Sequence, residues 1–336
     1  MIHWGILGPG RIAHKFALGL EAAQGAKLAA VGSRDLARAA AFASQHGAAR
    51  AYGSYAELVA DPGIEAIYVA SPHSQHASHT LLSLEAGKHV LCEKPLARNA
   101  AEAKRMIAAA RANDRVLMEA VWTRFLPALV HVRDLLAKGA IGEVRMLQAD
   151  FGFRVAVDPT SRLFAPELAG GALLDLGVYP LNLAFMVCGE PLEIHTLANL
   201  GSTGVDEEAA ILLRHAAGRI STLSCALRVE TPRDAHILGT RGRITIHRPW
   251  WGASRVTLHR EDADPQEFAF PLRGAGYTDE AEAFMQVIRS GRLESDIMPL
   301  DESLAILRTM DAIRARWGLR YPGEDDPGSE TCLDDC

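Results

Sequence analysis

Residues 2–13 read IHWGILGPGRIA, and this stretch decides the fold of the first part of the chain. An apolar run of β-forming residues leads into Gly8-x-Gly10-x-x-Ala13, after which helical periodicity begins. The first glycine permits a tight turn, the second lets the backbone approach a pyrophosphate, and the alanine lets the helix pack close to the strand. The first amides of the helix then point at the phosphates. An ordinary strand-turn-helix corner would show the same local pattern. The alternation of elements that follows favours a dinucleotide-binding unit.

Short β-rich runs alternate with amphipathic helical stretches as far as about residue 122. Strands are predicted at Ile2–Leu7, Lys27–Ser33, Ala66–Ser71, His89–Glu93 and Val116–Ala120. Alanine-rich segments with helical spacing lie between them, for example Asp35–His46 and Asn99–Ala112. This alternation is typical of a parallel sheet with helices on both faces, that is, a Rossmann-type doubly wound α/β domain.

After about residue 143 the pattern changes to alternating polar and apolar residues, which is typical of strands with one covered face. Strands are predicted at Val144–Phe153, Glu193–Leu200, Ala209–Arg214, Ile220–Leu227, Ala235–His247, Arg255–Arg260 and Glu267–Leu272, and helices at Thr278–Arg289 and Asp301–Trp317. Turn pairs such as Ala217-Gly218 and Arg241-Gly242 indicate antiparallel hairpins. We therefore expect three regions. Residues 1–122 form the dinucleotide-binding domain, residues 123–320 an α+β domain with a largely antiparallel open sheet and helices, and residues 321–336 a disordered acidic tail.

Composition and charge exclude several classes of protein. The 336 residues are 49% apolar and 23% charged, with a formal net charge of −6, so no basic field attracts nucleic acid or an anionic membrane. No apolar run reaches the roughly 18 residues that a membrane helix needs. The apolar N-terminus has no basic leader and is interpreted as a strand rather than a signal peptide. Cys92, Cys188 and Cys225 are expected to be buried thiols, while Cys332 and Cys336 belong to the tail, and a cytoplasmic location fits best.

The end of the second predicted strand indicates which dinucleotide is preferred. An NAD-selective site places a carboxylate there to bind the ribose 2′-hydroxyl. Here the strand ends in Ser33 and Arg34, and a hydroxyl beside a guanidinium suits a 2′-phosphate. Asp35 follows, and it could instead cap the next helix. The sequence therefore favours NADP, with NAD as the other possibility.

Three further stretches carry polar groups suited to chemistry. SPHSQH (residues 71–76) and Glu93-Lys94-Pro95 follow neighbouring strands, at the carboxyl edge where open α/β sheets bind ligands. The third is GGALLDLGVY (residues 170–179), in which Asp175 and Tyr179 would share one face of a helix.

Three histidines, His73, His76 and His79, recur at a spacing of three residues after the third strand. Such spacing could indicate a metal site. No acidic or cysteine side chain accompanies them in the sequence, so we predict no metal. His76 is expected to help shape the pocket for the nicotinamide ring.

The order of these features resembles the Gfo/Idh/MocA family, which includes glucose-fructose oxidoreductase and inositol dehydrogenase. The similarity covers nearly the whole chain up to about Leu319. MEAVWTRF (residues 118–125) and GALLDLGVY (residues 171–179) are similar to the branch of dimeric dihydrodiol dehydrogenases and NADP-dependent D-xylose dehydrogenases. Relatives with inositol-like substrates often carry histidine where this chain has Tyr179, so the tyrosine favours that branch.

The resemblance implies that Lys94, Asp175 and Tyr179 are catalytic. A phenol is a poor base at its usual pKa near 10, and a nearby ammonium lowers that pKa, so Lys94 beside Tyr179 would form an acid–base unit. Asp175 would orient the substrate hydroxyl or hold Lys94. Trp122 and Phe151 would form an apolar wall, so the predicted substrate residues are Trp122, Phe151, Asp175 and Tyr179. The residues predicted to bind the cofactor are Gly8, Pro9, Gly10, Arg11, Ile12, Ser33, Arg34, Ser71, His73, His76, Glu93, Lys94, Trp122 and Arg124.

The leading hypothesis is NADP-dependent hydride transfer to or from a hydroxyl or carbonyl of a cyclic polyol, an aldose or a trans-dihydrodiol. Two alternatives stay open: a glycosidase that uses a resident dinucleotide as its redox catalyst, and a catalytically silent ligand sensor. The sequence does not identify the substrate, because the candidates for lining the pocket, Arg154, Arg162, Trp250 and Trp251, lie in irregular stretches whose placement cannot be derived. An uncovered sheet face and the resemblance both predict a homodimer through the C-terminal sheet.

Overall fold

The computed structural model describes residues 1–324, and the first 120 of them form a parallel sheet whose strands are joined by helices. The elements follow one another as β1 (Ile2–Leu7), α1 (Arg11–Ala22), β2 (Ala26–Gly32), α2 (Leu36–His46), β3 (Arg50–Tyr52), α3 (Tyr55–Ala60), β4 (Ala66–Val69), α4 (His76–Glu85), β5 (His89–Glu93), α5 (Ala100–Ala112) and β6 (Leu117–Ala120). The sequence pattern does not predict β3 and α3, because three and six residues are too few to display a period.

The strands of this sheet lie in the order β3-β2-β1-β4-β5-β6, and every neighbouring pair is parallel. This is the Rossmann order, in which the direction of winding reverses between β1 and β4 and opens a crevice at their carboxyl ends. Trp4, Phe16 and Tyr68 are fully buried in the core, where Phe16 stacks on Tyr68 with ring centres 3.7 Å apart. The predicted doubly wound sheet is confirmed.

The later residues form a second group of elements. They are α6 (Pro127–Ala137), β7 (Val144–Gly152), α7 (Val178–Cys188), β8 (Pro191–Leu200), β9 (Asp206–His215), β10 (Ile220–Ala226), β11 (Ala235–Gly239), β12 (Gly242–Ile246), β13 (Arg255–Arg260), β14 (Ala263–Ala269), α8 (Thr278–Arg289) and α9 (Leu300–Trp317). One turn of π-helix, Leu173–Gly177, leads directly into α7.

The eight strands of this group form a sheet in the order β14-β13-β12-β11-β7-β10-β9-β8. All neighbours are antiparallel except β7 and β10, so the predicted largely antiparallel sheet is confirmed. The single strand predicted over Ala235–His247 is instead the hairpin of β11 and β12, because the chain turns before Gly242, whose φ is +157°. The last predicted strand, Glu267–Leu272, lies earlier as β14, because a tight turn sets its pairing with β13.

One face of the second sheet is covered and the other is open. Leu147, Ala149 and Phe151 of β7 are buried on the face that α7 covers. The stretch Pro166–Cys188 is long and apolar enough to cross a membrane by composition. However, 94% of its most apolar window is buried inside the fold, so it packs as a core helix.

The last two helices return to the first domain. α8 packs on α1, where the Thr278 hydroxyl donates to the carbonyl oxygen of Gly19 at 3.1 Å, and α9 packs on α5. The division of the chain near residue 122 stays a prediction. It separates the two sheets, while α8 and α9 tie them together.

The chain remains packed beyond α9. The hydroxyl of Tyr321, a buried residue, donates to the carbonyl oxygen of Gly170 at 2.5 Å. The prediction of a disordered tail from residue 321 is therefore wrong for residues 321–324, because this ring anchors them. The rest of the predicted tail, with Cys332 and Cys336, lies outside the described residues.

Candidate active site

The glycine turn joins β1 to α1 at the carboxyl edge of the Rossmann sheet. Gly8 has a φ of +91°, and a Cβ there would lie 3.3 Å from the backbone of Ala70, so this position requires glycine. A Cβ at Gly10 would meet no atom of the described chain within 4 Å. No side chain among residues 1–324 caps α1, so its first amides can bind an anion. The turn also contains the other three residues predicted to bind the cofactor, Pro9, Arg11 and Ile12.

Ser33, Arg34 and Asp35 lie between β2 and α2. The Asp35 carboxylate caps α2 by accepting hydrogen bonds from the backbone amides of residues 37 and 38 at 2.9 and 3.3 Å. Arg34 is exposed beside it. Arg38 reaches back to the glycine turn, where its Nη2 donates to the carbonyl oxygen of Pro9 at 3.3 Å. The sequence analysis missed Arg38. Its signal is the i, i+4 spacing from Arg34.

Two buried histidines connect the segment that follows β4 to other loops of the site. The ring nitrogens of His76 lie 2.9 Å from the carbonyl oxygen of Ser71 and 2.8 Å from that of Pro95. Nδ1 of His73 lies 3.1 Å from the carbonyl oxygen of Ala169. Burial lowers the pKa of His73 to about 3 and that of His76 to about 4, so both rings are neutral at pH 7. Within the described part of the chain, no three His, Cys, Asp or Glu side chains are arranged to hold a metal ion.

Lys94 follows β5, and the π-helical turn before α7 holds its ammonium group. Lys94 Nζ donates to the carbonyl oxygen of Asp175 at 2.7 Å and lies 3.3 Å from Oδ1 of the same residue. Arg162 binds this carboxylate through both terminal nitrogens, at 2.9 and 3.3 Å. Burial alone would raise the pKa of Asp175, but Lys94 and Arg162 hold it well below its usual range. Asp175 is therefore an ionised anchor between two cations.

Tyr179 lies beside this group on α7. Its hydroxyl accepts a hydrogen bond from Nε1 of Trp122 at 3.0 Å, and Lys94 Nζ lies 4.9 Å from the centre of its ring. Burial, followed by repulsion from Glu93, raises the pKa of Tyr179 well above its usual value. The net shift of this pKa is therefore opposite to the lowering expected from Lys94, because burial is the largest influence on this phenol. Tyr179 is a neutral phenol at pH 7.

The backbone that carries Asp175 and Tyr179 is not one regular helix. Asp175 lies in the π-helical turn Leu173–Gly177, and Tyr179 lies in the first turn of α7. Single π-helical turns are frequent at functional sites. Both residues nevertheless contact Lys94, as the shared helix face predicts.

Aromatic rings surround the Tyr179 hydroxyl. Trp122 stacks on Tyr277 with ring centres 4.8 Å apart, and Phe151 stacks on Trp251 at 3.4 Å. The Phe151 ring centre lies 5.3 Å from that of Tyr179. The structure thus brings Trp122 and Phe151 to the predicted wall. It also places Trp251, a candidate for lining the pocket, against Phe151, and it adds Tyr277, which the sequence analysis missed because it lies in a segment without periodicity.

Glu93 and Arg124, two of the residues predicted to bind the cofactor, form contacts with other protein groups. The buried Glu93 carboxylate accepts hydrogen bonds from the Tyr68 hydroxyl and from the backbone amide of Lys94. The buried Arg124 guanidinium donates to a carbonyl oxygen of α7 at 2.8 Å and pairs with Glu302. Protein groups thus bind the charged ends of both residues, and their contact with the cofactor stays a prediction.

Two family models match the chain. One, described as an oxidoreductase family with an NAD-binding Rossmann fold, matches residues 2–121. The other, the GFO/IDH/MocA C-terminal domain, matches residues 129–245. The chain belongs to the GFO/IDH/MocA oxidoreductase family.

Among GFO/IDH/MocA proteins, the chain is similar to trans-1,2-dihydrobenzene-1,2-diol dehydrogenases. The enzyme from Mus musculus is 36% identical over 333 residues, which are 96% of this chain and 98% of that enzyme. The enzyme from Xenopus laevis is 38% identical over 331 residues, which are 95% of this chain and 99% of that enzyme. The predicted family and its dihydrodiol dehydrogenase branch are confirmed, and the protein is an NAD(P)-dependent dehydrogenase or reductase.

A solved structure has the same fold as this chain. A 3-ketoreductase from Actinomadura kijaniata, in complex with NADP and TDP-benzene, superimposes with a TM-score of 0.84 at 29% identity. The match covers 94% of this chain and 97% of the reductase.

Proposed function

We propose that this GFO/IDH/MocA protein transfers hydride between NADP and a hydroxyl or carbonyl group of a cyclic polyol, an aldose or a trans-dihydrodiol. One observation carries the proposal: Lys94, Asp175 and Tyr179 converge at the carboxyl edge of the Rossmann sheet, the edge that also carries the glycine turn. The names of the relatives, which are diol dehydrogenases and an NADP-bound ketoreductase, support the same reaction class.

The residues around the glycine turn fit a dinucleotide that carries a 2′-phosphate. Gly10 leaves open space in front of the uncapped end of α1. Asp35, where an NAD-selective site would use a carboxylate for the 2′-hydroxyl, is committed to capping α2, while Arg34 and Arg38 flank it. When bound, the dinucleotide supplies the acceptor or donor of the hydride.

Side chains of this protein donate or accept the proton of the substrate hydroxyl. The Tyr179 phenol keeps its proton at neutral pH, so it can give that proton to a substrate oxygen during reduction and must release it before it acts as base in oxidation. Trp122 donates to the phenol oxygen, which leaves the phenol proton directed elsewhere. Lys94 stabilises negative charge on the ring while the proton moves, and Asp175 keeps Lys94 in place.

The walls of the site suit a small ring that carries hydroxyl groups. Trp122, Phe151 and Trp251 offer flat apolar faces, and Lys94 and Asp175 offer one charged, hydrogen-bonding corner. A ring-shaped substrate can stack against these aromatic side chains while its hydroxyl groups form hydrogen bonds with Lys94 and Asp175. Both a cyclic sugar and a cyclohexadiene diol satisfy this description.

A substrate panel tests the proposal directly. Purified protein with NADP is offered pentoses, hexoses, inositols and trans-dihydrodiols, and formation of NADPH is followed by absorbance. We expect turnover with at least one ring-shaped diol or sugar. Release of a sugar or aglycone without net NADPH would identify the glycosidase alternative. NADPH binding with no turnover of any compound would identify a sensor, and either result contradicts the proposal.

We also propose that the open face of the second sheet forms a homodimer. On this face the side chain of Leu197 is 80% exposed and that of Leu212 is 46% exposed, on the neighbouring strands β8 and β9. Met146 and Ile220, which are paired across β7 and β10, continue the apolar surface. Such a row of exposed apolar side chains on the face of a sheet is typical of a surface that a partner covers.

Replacing Leu197 and Leu212 together with aspartate is expected to give a monomer, because the charges cannot be desolvated in an apolar interface. Sedimentation equilibrium at micromolar concentration measures the assembly. Leu293→Asp, an exposed leucine in a loop outside this sheet, is the matched control and should remain dimeric. A stable wild-type monomer would overturn the proposed dimer.

We propose a cytoplasmic location for this enzyme. Cys92, Cys188 and Cys225 are buried free thiols, as the sequence predicts. Thiols of this kind are typical of proteins that work in a reducing compartment.

A further inference from the structure

A buried carboxylate lies behind the turn that carries Asp175. Asp206 is the first residue of β9 and is completely buried. Its Oδ2 accepts a hydrogen bond from the backbone amide of Leu173 at 2.6 Å, whereas its Oδ1 has no partner within residues 1–324. Removing a carboxylate from water costs free energy, and the hydrogen bond from Leu173 ties this buried carboxylate to the backbone that precedes α7.

The bond holds the start of the π-helical turn Leu173–Gly177. Gly171, just before this turn, has a φ of +116°, and a Cβ there would lie 2.2 Å from Asp206 Oδ1. The backbone at Gly171 therefore lies so close to the Asp206 carboxylate that only glycine fits at this position. The negative group also faces the amide end of the helical segment, where it interacts favourably with the backbone dipoles.

The same turn holds the catalytic ammonium. The carbonyl oxygen of Asp175 accepts from Lys94 Nζ at 2.7 Å, and Tyr179 follows one turn later. A shift of the backbone at Leu173 would move both the carbonyl and the carboxylate that fix Lys94. Displacements of about 1 Å can cost about 100-fold in rate.

We infer that Asp206 is a positioning residue: its carboxylate fixes the Leu173–Gly177 turn and thereby the places of Asp175, Lys94 and Tyr179. The part of this inference that concerns catalysis rests on the proposed function. In this inference Asp206 acts through the backbone, by way of its hydrogen bond with the Leu173 amide.

The surroundings of Asp206 make its charge sensitive to pH. The ionisable groups that face it are Cys225 on β10, Arg314 on α9 and Tyr321 after α9. Glu324 pairs with Arg314 at 2.9 Å and offsets its charge. Burial raises the pKa of Asp206 to about 7, although the Leu173 amide and Arg314 lower it. The carboxylate is the better acceptor for an amide, so the turn is held most firmly above pH 7.

The test compares Asp206→Ala and Asp206→Asn with wild type. Alanine removes the acceptor, whereas asparagine keeps an oxygen but no charge. At pH 8 we expect kcat to fall at least about tenfold in the alanine variant and less in the asparagine variant, with the dissociation constant of NADPH unchanged. In the direction of reduction, which needs the phenol of Tyr179 and not its phenolate, the rise of kcat through pH 7 that titration of Asp206 causes should be lost in the asparagine variant. Glu207→Gln, on the same strand and paired with Arg228 at 2.7 Å, is the matched control and should behave as wild type.

Amide hydrogen exchange supplies a measurement that needs no substrate. Peptides covering residues 171–179 should exchange faster in both Asp206 variants at pH 8, while peptides of the Rossmann sheet should not change. If wild type turns over no compound, the proposed function fails, and exchange in this segment still decides whether Asp206 holds the turn.

Unchanged exchange in this segment overturns the inference. So does an alanine variant whose kcat stays within about twofold of wild type, a change too small for a displaced catalytic group. An asparagine variant whose kcat at pH 8 is no higher than that of the alanine variant also overturns the inference. If the alanine variant does not fold, the test uses the asparagine variant alone. The inference is overturned if amide exchange in residues 171–179 and the pH profile of kcat are both the same in this variant as in wild type.

Discussion

Replacing Lys94 with alanine, or Tyr179 with phenylalanine, is expected to lower kcat by about 100- to 10,000-fold while NADPH binds with nearly unchanged affinity. Tyr179→Phe removes only the hydroxyl that carries the proton, and the ring keeps its place between Phe151 and Lys94. Lys94→Ala removes the cation over that ring and leaves Asp175 paired with Arg162. Both variants should therefore fold, because each keeps the packing around the changed atom.

Steady-state rates with the best compound of the panel, together with fluorescence titration with NADPH, measure the two quantities separately. Lys104→Ala, an exposed lysine on α5 of the same domain, is the matched control and should retain full activity. Wild-type kcat in either the Lys94 or the Tyr179 variant would exclude the proposed acid–base unit. A loss confined to NADPH affinity would show that these residues only bind the cofactor.

The pH dependence of the wild-type reaction rate is a second test of the acid–base unit formed by Lys94 and Tyr179. Burial raises the pKa of Tyr179 above its usual value near 10, so the phenolate fraction at neutral pH is small and grows with pH. Oxidation needs the base form, and its rate should therefore rise with pH into the alkaline range. Reduction needs the phenol, and its rate should fall only when the phenol ionises. Tyr179→Phe should show neither alkaline dependence.

The sequence predicts the first sheet well because its signals are local. The glycine turn, the strand ends and the N-cap at Asp35 each lie within a few residues of the element that they define. Parallel strands place their carboxyl ends on one edge, so the topology itself brings Ser71 and Lys94 to the same side as the glycine turn. These predictions need no knowledge of long-range contacts.

The remainder of the site depends on contacts between distant segments. Arg162 and Tyr277 reach the site from an irregular loop and from the start of α8, where no period fixes their direction. The pKa of Tyr179 moves opposite to the prediction because burial of the phenol, followed by repulsion from Glu93, raises it, and the sequence shows neither the burial nor the contact. Asp206 gives almost no signal in the sequence, since aspartates are mostly exposed and this one begins a strand.

Cofactor preference is the second large effect that we expect. Arg34→Ala should lower kcat/KM for NADP by about 10- to 100-fold and leave kcat/KM for NAD nearly unchanged, because a charge-assisted hydrogen bond is worth about 1.5–3 kcal/mol. Arg38→Ala should lower kcat/KM for NADP in the same direction. Its guanidinium also holds the Pro9 carbonyl at 3.3 Å, so some loss with NAD should accompany that with NADP. Lys104→Ala again serves as the control for loss of one positive charge from the domain.

The comparison of the two arginine variants separates recognition of the 2′-phosphate from support of the glycine turn. A direct phosphate contact affects NADP alone and weakens as salt screens the exposed charges, whereas support of the turn affects both dinucleotides at every ionic strength. We therefore expect the NADP to NAD ratio of wild type to decrease with added salt, and the ratio of Arg34→Ala to change little. Equal or greater wild-type kcat/KM with NAD would contradict the NADP assignment. In that case the capping carboxylate of Asp35 would have to leave α2 to bind the ribose, because it is the acidic group that the strand end offers.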